Sequence, residues 1–220
     1  MSAGSQVCQA TIIPTAHFQQ TGTTTFSTTK TFFTMSSDLP QEPSENKRNT
    51  LAGNWILDKS RGEWSMRGYL ETMHVNELAI QAHEKGEQEY DTIHAITFPD
   101  FNFDKVRIMK RSRVNNDLVV ELTLGEESVQ YLKPDDRPKK ALATSEDPGR
   151  HLKIESSLLT MNGMAHVTDI KRLVQEGDLS LLVQELTIVN TETSQSKTTV
   201  RYFVPYHGRL EPEGDAMDES

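Results

Sequence analysis

Residues 51–58 read Leu-Ala-Gly-Asn-Trp-Ile-Leu-Asp, and they mark the point at which the chain acquires the pattern of a folded domain. Apolar side chains alternate there with small or polar ones, which predicts a β-strand with one buried face. By contrast, residues 1–37 contain fifteen Ser or Thr and a single charged side chain, Lys30. A segment of that composition cannot bury enough apolar surface to fold alone. We therefore predict that the strand at 51–58 opens the folded domain.

Two short amphipathic helices are predicted after this strand. Apolar residues recur there at spacings of three and four, the period of one face of an α-helix. The pattern breaks near residues 74–76, which separates the two helices, and Ser60 is interpreted as the cap of the first. The residues that carry the helical period are Met66, Tyr69, Leu70, Met73, Leu78, Ala79 and Ala82.

Beyond Gly86 the helical period disappears, and short β-rich runs alternate with turn residues. Nine further strands are predicted, at residues 90–98, 105–114, 117–124, 127–133, 139–144, 151–159, 164–175, 179–189 and 197–205. A flat ten-stranded sheet would expose strong edges, whereas closure removes them. We therefore predict a mainly β fold, an antiparallel up-and-down barrel of about ten strands with the helix pair as a lid and with disordered tails. A barrel of this size encloses a cavity for a ligand.

Three segments follow from these patterns. They are a disordered Ser/Thr-rich segment at residues 1–50, the barrel at residues 51–207 and a disordered acidic tail at residues 208–220. Two further interpretations of the first segment stay open. Its hydroxyl-rich, acid-poor composition resembles an organelle-targeting peptide, although arginines are missing. Alternatively, Met35 is the initiator and the residues before it are an extension.

The composition excludes several classes of function. With 23 basic and 32 acidic residues the net charge is −9, and without a basic cluster nucleic acid is not expected as a partner. No apolar run approaches the roughly 18 residues of a membrane-spanning helix, so stable membrane insertion is not expected. The single cysteine, Cys8, argues against disulfides and favours a reducing, cytoplasmic location. Nucleophile, phosphate-loop and metal-ligand motifs are missing, so we predict no enzyme activity, cofactor or metal.

Four ordered matches give residues 51–206 a resemblance to the intracellular lipid-binding proteins of the fatty-acid-binding type, in the calycin group. Residues 53–57 resemble the G-x-W strand that opens the barrel in that family. Residues 69–75 resemble its first lid helix and the turn that follows. Residues 124–127, followed by 134–140, are similar to its L-G-x-E-F and D-D-R-x-x-K segments.

The resemblance implies a function, which is non-catalytic binding and intracellular transport of a hydrophobic anion such as a long-chain fatty acid or related lipid. Residues 169–172 look like the strand that carries the family's inner arginine, and residues 200–203 look like its last-strand R-x-Y. In the family these groups hold the ligand carboxylate, although Phe203 stands where the tyrosine is expected and cannot donate a hydrogen bond. The implied anion contacts are Arg172 and Arg201, and the implied acyl path is lined by Ile170, Leu186, Phe203 and Met66.

Strand alternation bears on the two arginines independently of the resemblance. It places Ile170 with Arg172 on one face of a strand, and Arg201 with Phe203 on one face of another. If both faces point inward, the buried guanidinium groups require an anion or buried water, and a carboxylate fits their geometry. Two other arrangements stay open. Either the arginines are outward and solvated, or one of them stacks across Trp55 and closes one end of the barrel.

A second function also stays open, in which the barrel holds no ligand and acts through its outer surface as a protein-interaction module. The two functions differ in how the lumen is filled. A lumen packed with Phe98, Met109, Met164 and Phe203 favours the interaction module, whereas an open apolar cavity favours lipid. A closed barrel has no free strand edges, so we expect a monomer whose partner, for the first function, is a small hydrophobic ligand.

Overall fold

Ten β-strands and two α-helices follow one another through the described part of the chain. The structure is a computed structural model, and it describes residues 47–112, 118–132, 137–160 and 163–208. In chain order the elements are β1 (Gly53–Gly62), α1 (Arg67–Thr72), α2 (Glu77–Glu89), β2 (Ile93–Thr97), β3 (Lys105–Arg111), β4 (Leu118–Thr123), β5 (Glu127–Leu132), β6 (Arg137–Thr144), β7 (His151–Thr160), β8 (Gly163–Glu176), β9 (Leu179–Asn190) and β10 (Ser196–Pro205). None of the described helices is long and apolar enough to cross a membrane.

All ten strands belong to one antiparallel sheet, in the order β4-β3-β2-β1-β10-β9-β8-β7-β6-β5. The first strand pairs with the last, with Trp55 opposite Pro205, and this pairing curls the sheet into a barrel. The outer strands β4 and β5 are not paired with each other in the described residues. The chain between them instead reaches β6, where Leu124 bridges Ala143 and the Gly125 N–H donates to the Ala143 carbonyl at 2.8 Å. The predicted ten-stranded antiparallel barrel is confirmed, with a seam between the facing edges of β4 and β5.

The break between the helices falls where the sequence predicted it. His74 adopts a left-handed backbone (φ 55°), and the Asn76 side chain caps α2 by accepting a backbone N–H of its first turn at 2.9 Å. The interpretation of Ser60 as a helix cap is wrong, because β1 continues past it and α1 begins only at Arg67. The Ser60 hydroxyl donates to the Asp58 carboxylate at 2.6 Å instead.

All ten predicted strands overlap an observed strand, and the first is longer than predicted because it continues to Gly62. Other predicted features lie outside the described residues. These are the N-terminal segment up to residue 46, the acidic tail from residue 209 onward, and the turn residues within 113–117, 133–136 and 161–162.

Apolar side chains pack into two clusters at different levels of the barrel. We call the first the tryptophan cluster, since it surrounds the fully buried Trp55 and Phe203. The second, the lid cluster, joins Met66 and neighbouring side chains of α1 to β8 and β9. Along the inner face of β8 the chain passes from Val167 of the lid cluster, through the buried Asp169 and Lys171, to Leu173 of the tryptophan cluster. A polar layer therefore separates the two apolar clusters.

The end of the barrel at Trp55 is closed by residues that precede β1. The Trp55 indole N–H donates to the Leu51 carbonyl at 2.8 Å, and the Arg48 guanidinium lies 5.2 Å from the centre of the Trp55 ring. The Arg48 backbone N–H donates to the Ser180 hydroxyl at 2.6 Å. The arginine that stacks on the tryptophan is thus neither of the two considered from the sequence, and contacts with the barrel begin three residues before the predicted domain boundary.

Two leucines of β7 provide a test of this packing. Leu152 is fully buried in the tryptophan cluster, whereas Leu159 is 46% exposed. We expect Leu152→Ala to lower the free energy of unfolding by about 2–5 kcal/mol, because it deletes buried methyl groups and leaves a cavity. Leu159→Ala, the control with the same chemical change, is expected to cost less than about 1 kcal/mol. Urea unfolding measures both, and equal losses would contradict the inward assignment of Leu152.

Candidate ligand-binding site

The inner face of β8 carries a buried acid and a buried base rather than the arginine that the sequence analysis placed there. Asp169 and Lys171 are buried and face inward, while Ile170 is half-buried and Arg172 is exposed on the opposite face. The Arg172 guanidinium donates to the Glu185 carboxylate at 3.1 Å on the outside of the barrel. The predicted inward orientation of Ile170 and Arg172 is therefore wrong. A shift of one residue in strand phase moves every side chain to the other face.

Arg201 and Phe203 do face inward, as predicted. Arg201 is 5% exposed, and its guanidinium donates to the Glu87 carboxylate of α2 at 2.6 Å and to the Trp64 carbonyl at 3.1 Å. Phe203 stacks on the ring of His94, with 4.5 Å between the ring centres. Neither residue lies on the wall of the cavity described next. Arg201 thus already has a carboxylate partner, which is part of the protein.

A cavity of about 390 Å³ lies between α1 and the inner faces of the strands on both sides of the seam. Its wall is mainly apolar, and it includes Met66 and Leu186, two of the residues predicted to line an acyl path. Their contact with a ligand stays a prediction. The other apolar wall residues are Leu70, Ile108, Val120, Leu122, Ala141, Ile154 and Val167.

Asp169 is the centre of the polar part of the cavity wall. The Lys171 ammonium lies 2.5 Å from its carboxylate, the Lys110 ammonium lies at 3.8 Å, and the Gln184 amide donates to it at 2.9 Å. Burial alone would raise the pKa of Asp169, but the two ammonium groups and these hydrogen bonds hold it well below its usual range. The carboxylate is therefore ionised, and it is shared by two bases.

Lys139 adds a third base to this region. It faces inward from β6 opposite Gln130 of β5, and both side chains line the cavity. Within the described ranges, no carboxylate lies within ion-pair distance of its amine, and no hydrogen-bond partner is present. Burial, together with the nearby Lys110 ammonium, lowers the pKa of Lys139 to about 8. Burial likewise lowers the pKa of Lys171 to about 8, against the opposing effect of Asp169.

The remaining polar groups on the wall come from the helices and from β7. They are Tyr69 of α1, whose pKa is raised by burial, His83 of α2 and Ser156. In the described parts of the chain, no group of three or more His, Cys, Asp and Glu side chains could hold a metal ion. The wall is therefore a basic patch of ammonium, hydroxyl and amide donors on an otherwise apolar surface.

The helix pair is attached to the barrel through Glu87. One carboxylate oxygen of Glu87 accepts from Arg201 of β10, and the other accepts from the Met66 backbone N–H at 3.2 Å and lies 3.6 Å from the His83 ring. A second attachment joins the Asn190 amide of β9 to the carbonyl that ends α1, at 3.2 Å. The lid is thus fixed to two strands by buried polar contacts.

The lysines of the cavity were not identified from the sequence. The motif Asp169-Ile170-Lys171-Arg172 drew attention to the right strand, but the arginine was taken as the inward base. The D-x-K spacing itself is the signal that was available, because it places an acid and a base on one face of a strand, where they can pair. For Lys110 and Lys139 the sequence carries no such signal, because each resembles a solvated lysine until the barrel closes.

Comparison with known proteins gives likenesses to solved structures alone. No protein-family model matches the chain, and a search of curated proteins gives no match. The structure is similar to the fluorescent protein UnaG, with 17% identity and a TM-score of 0.48, over 71% of this chain and 97% of that one. It is similar to secretory abundant heat soluble protein 4 from Ramazzottius varieornatus, with 14% identity and a TM-score of 0.48, over 71% and 94%. A luciferase domain from the dinoflagellate Lingulodinium polyedrum matches with 10% identity and a TM-score of 0.43, over 70% and 41%.

The buried pair of Glu87 and Arg201 gives a prediction about the lid. We expect Glu87→Gln to lower the free energy of unfolding by about 3 kcal/mol or more, because it leaves the Arg201 charge buried and uncompensated. The control is Glu89→Gln on the same helix, since Glu89 pairs with Lys85 in solvent at 3.7 Å. That change is expected to cost less than about 1 kcal/mol. Chemical unfolding of both variants is the measurement, and similar losses would rule out a special role for the buried pair.

The lowered pKa of Lys139 gives a prediction about pH. Its folded-state pKa of about 8 lies below the ordinary value of 10.5, so between these values the unfolded chain binds more protons than the folded one. The free energy of unfolding therefore rises with pH through that range, as the cost of burying the charged form of Lys139 is lost. Below pH 8 this cost is present in full. We expect Lys139→Met to exceed wild type in stability by the largest margin near pH 7, with the margin narrowing towards pH 10. A margin that stays constant in urea unfolding across this range would contradict the lowered pKa.

Proposed function

We propose that the barrel binds a hydrophobic small molecule with an anionic head group, reversibly and without catalysis, in the cavity beneath α1. The ligand class is a long-chain fatty acid or a related lipid, and the role is its intracellular transport. One observation carries the proposal. Lys139 directs an amine without a carboxylate partner, among the described residues, into a cavity whose wall is mainly apolar.

The charges around the cavity support an anionic head group. Lys110 and Lys171 share the carboxylate of Asp169, and Lys139 adds a third positive charge nearby without a carboxylate of its own among the described residues. A bound carboxylate would supply the missing negative charge and would favour the protonated form of Lys139. Hydrogen bonds in which both groups are charged are the stronger ones, and they strengthen further where water is excluded. A bound anion would therefore offset part of the electrostatic cost of burying these ammonium groups.

The shape of the cavity supports an aliphatic tail. Its volume of about 390 Å³ falls at the lower end of the range of roughly 300–1,000 Å³ that is usual for ligand pockets. Apolar side chains from β3, β4, β6, β7, β8 and β9 form most of the wall, and Leu70 of α1 and Met66, which precedes α1, cover it. Burial of a methylene group against such a wall contributes about 0.8 kcal/mol.

The anion contacts in this proposal differ from those that the resemblance implied. Lys110 and Lys139 replace the arginine pair, because Arg172 lies outside the barrel and Arg201 is paired with Glu87. Met66 and Leu186 keep their proposed place beside the aliphatic chain. Arg201 acts on the lid rather than on the ligand.

The interaction-module function predicts a lumen filled by four residues. Two of them lie inside the barrel and two do not. Phe203 is buried in the tryptophan cluster and Phe98 packs against it, so that end of the barrel is filled. Met164 is 37% exposed, and Met109 alternates with the inward Ile108 and so faces outward. The lid end keeps its cavity, which favours ligand binding over the interaction module.

Displacement of a fluorescent long-chain fatty acid tests the proposal. We expect Lys110→Met and Lys139→Met each to weaken binding by about tenfold to a hundredfold, because each removes a charge-assisted hydrogen bond worth about 1.5–3 kcal/mol. Arg172→Gln is the control, and we expect it to leave the affinity unchanged because Arg172 faces solvent. Binding of the matching fatty alcohol to wild type separates the contribution of the head group from that of the chain.

Two outcomes would overturn this assignment. Equal affinity for the acid and the alcohol, together with no loss in the folded lysine variants, would remove the lysines as head-group contacts. Failure of the wild-type protein to bind either probe would favour the interaction module instead.

A further inference from the structure

We propose that Lys139 forms a reversible imine with a hydrophobic aldehyde held in the same cavity. This inference rests on the proposed function only in needing a cavity that admits an aliphatic chain. The ligand class is a long-chain aldehyde, which carries no charge and therefore does not need the ion pair that a fatty acid makes. Three features of Lys139 support this inference. They are the position of its amine in the cavity, the lack of a carboxylate within ion-pair distance among the described residues, and the fraction of the amine that is neutral near pH 8.

The position of Lys139 brings its amine into an apolar space. On β6 its neighbours Pro138 and Lys140 are exposed and face outward, while Lys139 lines the cavity. Its partners on the adjacent strands are Gln130 and Leu158, neither of which carries a charge. A chain that enters beneath α1 therefore meets this amine inside the barrel rather than at its surface.

The other lysines near the cavity are engaged differently. Lys171 is fully buried against Asp169 and does not line the cavity, and Lys110 lies 3.8 Å from the same carboxylate. Lys140, the adjacent residue, is exposed and pairs with Glu127 at 3.2 Å on the outer face. Of the lysines that line the cavity in the described residues, Lys139 alone has no carboxylate within ion-pair distance.

The environment of Lys139 favours its neutral, nucleophilic form. Burial and, to a smaller extent, Lys110 from β3 disfavour the charged form, whereas Asp169 from β8 favours it. Tyr69 from α1 and His83 from α2 are the other titratable groups on the cavity wall. With the pKa lowered to about 8, about half of these amines are neutral at pH 8, compared with well under one in a hundred for an ordinary lysine. Lysines with such environments serve as Schiff-base residues.

The reaction is a condensation that needs no oxidant or reductant. The Lys139 Nζ lone pair attacks the aldehyde carbon and forms a C–N bond, and a proton from the nitrogen moves to the carbonyl oxygen. The hydroxyl of the resulting carbinolamine takes up one proton, for which the Lys110 ammonium is the nearby donor, and leaves as water when the C–O bond breaks. The nitrogen lone pair forms the C=N bond, and the product is a protonated imine whose nitrogen keeps its one remaining hydrogen. The carboxylate of Asp169 is the negative charge available to this cation, and the Lys110 ammonium is a proton donor on the same wall.

The aldehyde and the fatty acid make opposite demands on Lys139. A carboxylate binds its protonated form, whereas an aldehyde reacts with its neutral form. As the pH rises from 7 to 9, fatty-acid affinity is therefore expected to fall while the initial rate of imine formation rises severalfold. A non-specific hydrophobic pocket would show neither trend.

Reductive trapping of the full-length protein tests the inference. The probe is hexadecanal, supplied below the protein concentration at pH 8 with cyanoborohydride, which converts an imine into a stable secondary amine. Peptide mapping by mass spectrometry then locates the added hexadecyl group. We expect labelling of Lys139 to exceed that of Lys140 by at least about tenfold, and hexadecanoic acid to suppress the labelling of Lys139 selectively.

The variants separate nucleophilicity from charge. Lys139→Arg keeps a positive charge but has no amine that condenses, so it is expected to lose the label, whereas Lys140→Arg is expected to retain it. Circular dichroism checks that both variants are folded, and if Lys139→Arg does not fold, the competition by hexadecanoic acid in wild type decides the question.

Three results would overturn the inference. Labelling spread evenly over exposed lysines, or labelling that persists in a folded Lys139→Arg variant, places the reaction outside the cavity. Absence of label while the wild-type protein still binds the fluorescent fatty acid refutes the imine and leaves the proposed function intact. Absence of both the label and fatty-acid binding refutes the two together.

Discussion

The carboxylate of Asp169 lies inside the barrel with two ammonium groups and one amide directed towards it. A charge in that position is tolerated only if neighbouring strands supply partners, and here they come from β3, β8 and β9. Because one acid is surrounded by more than one base, the net charge of this part of the interior is positive. On the inner face of β8, Asp169 and Lys171 lie between residues of the two apolar clusters. The basic cavity wall depends on this arrangement, and its Lys110 ammonium adds to the effect of burial in lowering the pKa of Lys139, whereas Asp169 opposes it.

A second buried charge, that of Arg201, is balanced by the lid. In the resemblance to lipid-binding proteins the equivalent arginine holds a ligand carboxylate, whereas here Glu87 of α2 occupies its guanidinium. The barrel thus uses one buried base to hold a helix and leaves another, Lys139, to face the cavity. Detachment of α2 would expose Arg201 and would also remove His83 from the cavity wall. Lid position and interior charge are therefore not independent.

Most of the fold could be predicted because it depends on patterns that are local in the sequence. Turn residues and alternating apolar runs located all ten strands, and the interrupted helical period located the break at residues 74–76. The orientation of β8 could not be predicted in the same way, since apolar residues occur on both faces, with Val167 and Leu173 inside and Ile170 outside. With polar residues on both faces as well, alternation defines two faces without saying which is buried. The lysines of the site depend on strands far apart in the chain, and only closure of the barrel brings them together.

Because of the seam between β4 and β5, the cavity wall is stiffer on one side than on the other. On the side of β7 to β10, adjacent strands share long ladders of backbone hydrogen bonds, so expansion there would break many of them at once. Val120 and Leu122 of β4 and Gln130 of β5 line the cavity from strands that are not paired with each other in the described residues. Among the described residues, separation of these edges strains the bridge of Leu124 to Ala143 and the hydrogen bond from Gly125 to the same residue, and it leaves the ladders intact. A wider ligand is therefore accommodated at lower cost at the seam than at β8, where Asp169 and Lys171 lie on a strand paired on both sides.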